Sequence, residues 1–188
     1  LRYFGVGPWL TINAEPWVNA FANLDERRCL ALVSSSLLEH PYLYSRFIMD
    51  GFILNLVMRQ GLGQLHASCV HRDGTALLLS ATHNSGKSTT AFRLALAGYD
   101  FLSDGMTYVR AGQGGLELLG YPVGEVKLRL DMIDKFPILQ GHGMDVMVRE
   151  DKKVVFNLRR LLPGRVLEGP LQPKRIILCL VERTGSPH

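Results

Sequence analysis

The feature that most constrains the fold of this 188-residue chain is the segment at residues 81–89, which reads ATHNSGKST. It matches the pattern G-x-x-x-x-G-K-[ST] at every fixed position except the first, where Ala81 stands in place of glycine. In such a loop, successive backbone N–H groups curl around a phosphate, and the N-terminus of the following helix adds partial positive charge. The pattern therefore predicts a strand before the loop and a helix after it.

The residues around the loop agree with that expectation. Residues 77–79 are three leucines, which suit a buried strand, and residues 87–96 have the pattern of a helix that ends before Gly98. Lys87 would reach the outer phosphates of a nucleotide as a point charge, and Ser88 would offer its hydroxyl to Mg²⁺. The residues predicted to contact the nucleotide are Asn84, Ser85, Gly86, Lys87, Ser88 and Thr89.

The rest of the pattern predicts an α/β chain with two portions of different character. Residues 1–24 are rich in aromatic side chains and are interrupted by glycine and proline, which predicts short strands and loops. Residues 25–39 and 44–59 are interpreted as helices. We therefore predict a helical and aromatic N-terminal portion, residues 1–60, packed on a P-loop core with a mixed β-sheet, residues 61–188.

Strands dominate the predicted core. Asp73-Gly74 between two apolar runs predicts a β-hairpin. Residues 176–181 are nearly all apolar, which predicts a strand buried on both faces. Lys127 and Arg129 alternate along another predicted strand and share one face, where they would meet phosphates or an acceptor, or form a solvated surface. Further strands are predicted at residues 101–102, 106–110, 116–119 and 154–156, and a short helix at 132–136.

Composition and charge narrow the classes of function. Hydrophobic residues make up 47% of the chain and charged residues 20%, which excludes a disordered or coiled-coil protein. The net charge of +4 is too small to predict nucleic-acid binding, and no apolar run is long enough to predict a membrane span. The three cysteines form no CxxC pair, which favours a reducing, cytoplasmic compartment.

Two further residues lie where a ligand crevice is expected. Asp104 follows the strand after the loop helix, and the C-terminal ends of strands surround the ligand in open α/β sheets. There it would meet Mg²⁺ or the attacking hydroxyl, although an aspartate before Gly105 is also typical of a turn. His66 lies at the start of the strand that precedes the loop strand, and its own pattern favours a core histidine.

Four segments then coincide in order and spacing: HASCV at residues 66–70, DG at 73–74, the loop region at 77–88 and GYDFLSD at 98–104. Together they resemble the kinase core of the HPr kinase/phosphorylase family, and more specifically the HPr-kinase-related proteins. The resemblance extends over residues 45–130. It implies an HPr-kinase-like fold that binds ATP and Mg²⁺ and transfers the γ-phosphoryl group to a serine or similar hydroxyl of a protein or peptide acceptor. It also implies a homo-oligomer.

The resemblance implies that His66 is an active-site residue near the acidic group, and that Asp104 is a metal ligand or general base. The chain departs from the family pattern at two positions. Ala81 replaces the first glycine of the loop, and Gly105 stands where members of the family usually have a second aspartate. These departures leave two alternatives open: a regulatory module that binds ATP with weak catalysis, and a kinase that acts on small molecules.

Overall fold

A computed structural model describes residues 2–40, 44–45, 50–82, 85–148 and 151–182 of the chain. The chain divides into two compact units, Leu1–Leu62 and Gly63–His188. Both contain strands and helices, so the protein is a mixed α/β protein with several sheets and few helices. No helix among the described residues is long and apolar enough to cross a membrane.

The first unit is built on a four-stranded antiparallel sheet in the order β1-β2-β3-β4. One face of the sheet is buried, because Ile12, Val18 and Ala20 pack in a cluster with Leu37 and Phe52. The elements of this unit are β1 (Arg2–Val6), β2 (Trp9–Ala14), β3 (Val18–Asn23), β4 (Arg28–Val33), α1 (Ser35–Leu38) and α2 (Asp50–Arg59).

The helix predicted over residues 25–39 is wrong. The segment instead turns at Arg27, whose φ is 56°, and continues as the strand β4, which pairs with β3 from Arg28 to Val33. Its apolar residues alternate with a period of two, so that Ala31 is partly buried while Leu30 and Leu32 are exposed. Only α1 is helical here. Of the predicted helix at residues 44–59, Asp50–Arg59 is helical, and residues 46–49 lie outside the described part of the chain.

The second face of this sheet carries large apolar side chains. The strand register aligns Phe4 with Thr11, Thr11 with Phe21, and Phe21 with Leu30 across the four strands. Phe4 is 59% exposed, Phe21 50% and Leu30 64%. The aromatic residues of the N-terminal portion therefore belong largely to a sheet surface, where they bury little apolar area.

The second unit contains three sheets, with the orders β10-β9-β5, β11-β13-β12 and β14-β7-β6-β8. Its strands are β5 (Gly63–Leu65), β6 (Ala67–Arg72), β7 (Thr75–Ser80), β8 (Asp100–Ser103), β9 (Thr107–Gly112), β10 (Gly115–Gly120), β11 (Glu125–Arg129), β12 (Met144–Val148), β13 (Asp151–Asn157) and β14 (Arg175–Leu180). Its helices are α3 (Lys87–Leu96), α4 (Leu130–Ile133), a 3₁₀ turn (Pro137–Leu139) and α5 (Leu158–Leu161).

The hairpin predicted at Asp73-Gly74 is confirmed. β6 and β7 are antiparallel, and Arg72 pairs with Thr75 across the two-residue turn. Both turn residues have positive φ, 50° at Asp73 and 76° at Gly74, as a type I′ turn requires. The hairpin leads through β7 to the segment at residues 81–89.

Helix α3 packs on this unit through its apolar face. Ala91, Phe92 and Ala95 are buried, and the Phe92 ring meets Phe136 edge-on with ring centroids 5.0 Å apart. Phe101 at the second residue of β8 is also fully buried in the same cluster. The helix that follows the loop is thus held by a packed core rather than by its own propensity.

The strand predicted over residues 176–181 exists as β14, but the prediction that both its faces are buried is wrong. Leu178 is 71% exposed and Leu180 69% exposed. β14 lies at the edge of its sheet, parallel to β7, and only the Cys179 side packs on the core. A continuous apolar run does not distinguish an edge strand from a central one, because the number of covering layers is a tertiary property.

Candidate functional site

The described part of the loop between β7 and α3 ends in a glycine that starts the helix. Gly86 is the N-cap of α3 with φ of 95° and ψ of 11°, a left-handed conformation that side chains rarely adopt. The first helical hydrogen bond runs from Thr90 N to Gly86 O at 2.8 Å, and Gly86 has no side chain with which to cap the helix. The N–H groups of the first helical turn, at Lys87, Ser88 and Thr89, have no intrahelical acceptor, and a helix N-terminus of this kind favours an anion.

Ala81 causes no backbone strain at the start of this loop. Among the described residues other than glycine, positive φ occurs at Arg27 and Asp73 and not at Ala81. Within the loop, the hydroxyls of Thr82 and Ser85 are hydrogen-bonded to each other, and Ser85 N donates to Thr82 O at 3.4 Å. The glycine that the pattern expects at this position is dispensable for this conformation. Asn84 lies outside the described residues.

Lys87 begins α3 and contacts His66, with 2.9 Å between Lys87 Nζ and His66 Nε2. An ammonium group can only donate, so His66 accepts at Nε2 and carries its own proton on Nδ1 while Lys87 is charged. Partial burial lowers the pKa of Lys87 below that of an ordinary lysine. The charge of Asp104 acts in the opposite direction, and the charge of Lys153 adds to the lowering.

Asp104 follows β8 and is held by two hydrogen bonds from two other strands. Ser68 Oγ of β6 donates to Asp104 Oδ1 at 2.8 Å, and Lys127 N of β11 donates to Asp104 Oδ2 at 3.0 Å. β11 lies at the edge of its own sheet, and the carboxylate accepts from this N–H. Gly105 N donates in turn to Ser68 Oγ at 3.2 Å. The carboxylate therefore has a defined orientation.

Buried hydroxyls support the polypeptide just beyond this point. Ser103 Oγ and Thr107 Oγ1 lie 2.7 Å apart, and Thr107 Oγ1 donates to Ala67 O at 2.9 Å. Ser103 and Thr107 are fully buried. The bond from Thr107 ties the residue after the Asp104-Gly105-Met106 turn to the residue before Ser68.

Of the residues predicted from the sequence, Lys87, His66 and Asp104 lie close enough to interact directly or through their charges. Ser85, Gly86, Ser88 and Thr89 lie at the partly buried start of α3. The sequence interpretation missed the contributions of Ser68, the Lys127 backbone and Lys153. Ser68 had a detectable signal: it follows His66 by two residues, so the two side chains point to the same side of an extended segment. Lys153 had none, because its place depends on pairing between β13 and β11.

The oxygen donors at this site match the chemistry of Mg²⁺. Within the described part of the chain, no three His, Cys, Asp or Glu side chains gather into a metal site. Mg²⁺ does not require such a cluster, since it retains several waters and binds through one or two protein oxygens together with substrate phosphates. The carboxylate of Asp104 and the hydroxyl of Ser88 are hard oxygen donors of this kind.

Comparison with known proteins gives limited information. No protein-family model matches the chain, and no curated protein matches it. Among solved structures, the chain is similar to the HPr(Ser) kinase/phosphatase from Coxiella burnetii, with 14% sequence identity and a TM-score of 0.44. The match covers 62% of this chain and 64% of the length of that chain. These values indicate a distant structural relation.

Proposed function

We propose that this protein binds Mg·ATP at residues 81–89 and transfers the γ-phosphoryl group to a serine or similar hydroxyl of a protein or peptide. The observation that carries the proposal is a cation at the start of a helix on which the charge of an oriented carboxylate acts. Lys87 begins the helix after the loop, and Asp104 is held by Ser68 and by the Lys127 N–H close enough for its charge to act on Lys87. Phosphoryl transfer needs little else from a protein, since positioning and charge neutralisation supply most of the acceleration.

The loop would hold the phosphates of the donor. The uncapped N–H groups at the start of α3 favour an anion, and the left-handed Gly86 allows the backbone to approach it closely. Lys87 would neutralise charge on the outer phosphates. Because Lys87 meets His66, loss of His66 would free the ammonium to adopt other orientations.

Asp104 and Ser88 would hold Mg²⁺ through their oxygens. When bound, the ion neutralises charge that develops on the phosphates. Each oxygen of the Asp104 carboxylate accepts one hydrogen bond from the protein and retains further acceptor capacity. Asp104 is therefore suited either to ligate the ion or to accept the proton of the attacking hydroxyl.

A second candidate is a regulatory module that binds ATP with weak catalysis, and one observation favours it. Gly105 replaces the second carboxylate of the resembled family, and its φ is 89°. A side chain at this position is strained by the backbone conformation, even though a Cβ atom there would have nothing within 4 Å. The local backbone thus suits glycine, and a second carboxylate at residue 105 would be strained in this turn.

Thermal unfolding with Mg·ATP, with Mg·AMP and without nucleotide tests the binding half of the proposal. At a hundredfold excess over the Kd, one-site linkage stabilises the fold by about 2.7 kcal/mol. We expect an upward shift of Tm with Mg·ATP and a smaller shift with AMP. Absence of any shift of Tm with Mg·ATP would contradict the proposal.

Transfer from γ-labelled ATP to serine peptides, carrier proteins and small hydroxyl compounds tests the catalytic half. Labelling of a serine peptide or protein is the expected result. Tight ATP binding without transfer to any acceptor would establish the regulatory module instead, and labelling confined to small compounds would indicate a small-molecule kinase.

A further inference from the structure

We infer that Ser68 is a positioning residue: its buried hydroxyl, brought opposite Asp104 by an irregularity in β8, holds the carboxylate in the orientation that the site uses. The hydroxyl touches neither nucleotide nor acceptor in this role. Its effect on transfer rests on the proposed function, whereas its effect on Asp104 itself does not.

The strand register explains how the two residues meet. β6 pairs with β8 through Val70 and Phe101, but the next pair along is Cys69 with Ser103, so Leu102 is an extra residue in β8. Such a bulge shifts the register by one residue and turns the following side chains to the opposite face. One step further, Ser68 lies opposite Asp104, in agreement with the 2.8 Å bond between them.

The hydrogen-bond pattern assigns the hydroxyl proton. Gly105 N–H can only donate, so at 3.2 Å it uses a lone pair of Ser68 Oγ. The ionised Asp104 carboxylate can only accept, so the Ser68 proton points to Oδ1. Lys127 N–H occupies Oδ2 from a different strand. The two bonds together prevent rotation of the carboxylate, and loss of Ser68 would leave it anchored at one oxygen.

The burial of Ser68 supports a specific role. Ser68 is fully buried, and a buried hydroxyl is costly unless it is hydrogen-bonded. Ser103 is a matched case in the same sheet: it is also fully buried, but its hydroxyl pairs with the neutral Thr107 hydroxyl at 2.7 Å. Substitution of Ser103 therefore reports the effect of losing a buried hydroxyl, whereas substitution of Ser68 reports that effect together with the release of the Asp104 carboxylate.

The test compares Ser68→Ala with Ser103→Ala in the full chain. Both should lower Tm. Ser68→Ala should lower kcat by about 10- to 100-fold, the worth of a hydrogen bond to a charged group, with the KM for ATP within about twofold of wild type. Ser103→Ala should keep kcat within about twofold. Equal kcat in the two variants, or a rise in KM alone, would overturn the positioning role.

A second measurement does not depend on activity. A double-mutant cycle is measured by urea unfolding in the absence of nucleotide. It compares wild type with Ser68→Ala, Asp104→Ala and the double variant. The contact predicts non-additive effects, with a coupling of about 2- to 100-fold in the unfolding equilibrium constant. Additive effects would overturn the inference. If Ser68→Ala does not fold, Ser68→Cys replaces it, since a thiol is a weaker donor of similar size and should give an intermediate kcat.

The two proposals fail in different ways. If the wild-type protein binds Mg·ATP but labels no acceptor, the proposed function is contradicted. The unfolding cycle then still tests whether Ser68 holds Asp104. An active wild type with an additive cycle and an unaffected Ser68→Ala contradicts only the positioning role.

Discussion

The four-stranded sheet β1-β2-β3-β4 and the sheet β14-β7-β6-β8 have the same number of strands but use their polar groups differently. On the first sheet, polar side chains of the open face bond to a neighbouring side chain or carbonyl of the sheet itself, as between Asn13 and Asn19 and from Thr11 Oγ1 to Phe4 O. In the second, Ser68 donates to Asp104 beyond the end of β8, and the charge of Asp104 acts on Lys87 at the start of the helix that follows β7.

The difference between the two sheets depends on which backbone groups are not used in hydrogen bonds between strands. Within a sheet, N–H groups are occupied by neighbouring strands, so an outward face offers only side chains. At a strand end, a turn or an edge strand, backbone N–H groups are free to bind side chains, and Gly105 N and Lys127 N do so here. A site with an oriented carboxylate therefore forms at strand ends, while an exposed sheet face carries apolar surface without chemistry of its own.

The change that tests this contrast most strongly is Asp104→Asn. It keeps the size of the side chain and an acceptor oxygen, so the fold and much of the ATP affinity should persist. Transfer should fall by about two to four orders of magnitude, the usual worth of a positioned acid or base. Labelling rates with γ-labelled ATP give the measurement, and an Asp104→Asn variant as active as wild type would remove Asp104 from the site.

Removal of an aromatic ring should cost much more stability in the buried core of the second unit than on the open face of the first sheet. Phe92→Ala removes a fully buried ring that contacts Phe136, and it should cost about 3–5 kcal/mol of unfolding free energy. Phe21→Ala makes the same change on the open face of the first sheet, and its effect should stay within about 0.5 kcal/mol. Urea unfolding of both variants is the check. Comparable losses would mean that the open face is covered in solution.

The smallest expected effects concern the charge of Lys87. Lys87→Ala should weaken Mg·ATP binding by about 10- to 100-fold, the range for hydrogen bonds to charged groups, and AMP binding less. Because burial lowers the pKa of Lys87, its ammonium is lost at lower pH than that of an ordinary lysine. Affinity for Mg·ATP should therefore decline as pH rises through this lowered pKa.

Calorimetry between neutral and alkaline pH measures that decline. Lys87→Arg provides the control, because a guanidinium stays charged throughout the range, although its planar shape should bind the phosphates less well at neutral pH. An identical alkaline decline in Lys87→Arg would show that another group causes it.

Local patterns predicted the parts of this protein that depend on neighbouring residues. The Asp73-Gly74 hairpin follows from the positive φ that its turn requires, and the helix after Gly86 follows from the loop pattern. The loop pattern and the strand end singled out Lys87 and Asp104 as candidates, whereas His66 became one only through the family resemblance.

Local sequence patterns did not predict the features that depend on how sheets are covered and how strands pair. Residues 28–33 alternate with a period of two, but the strand β4 is stable only because β3 lies beside it. The exposure of Leu178 could not be read from its apolar neighbours, because they do not specify which strand occupies the edge of the sheet.

The sequence by itself determined the phosphate-loop pattern, the hairpin that leads to it and the identities of Lys87 and Asp104, because each rests on contacts among nearby residues. Only the tertiary structure decided which groups orient the carboxylate. Ser68 faces Asp104 because one extra residue in β8 shifts its register against β6, and Lys127 N reaches it because β11 lies at a sheet edge. Strand registers depend on contacts between distant segments, and no local pattern encodes them.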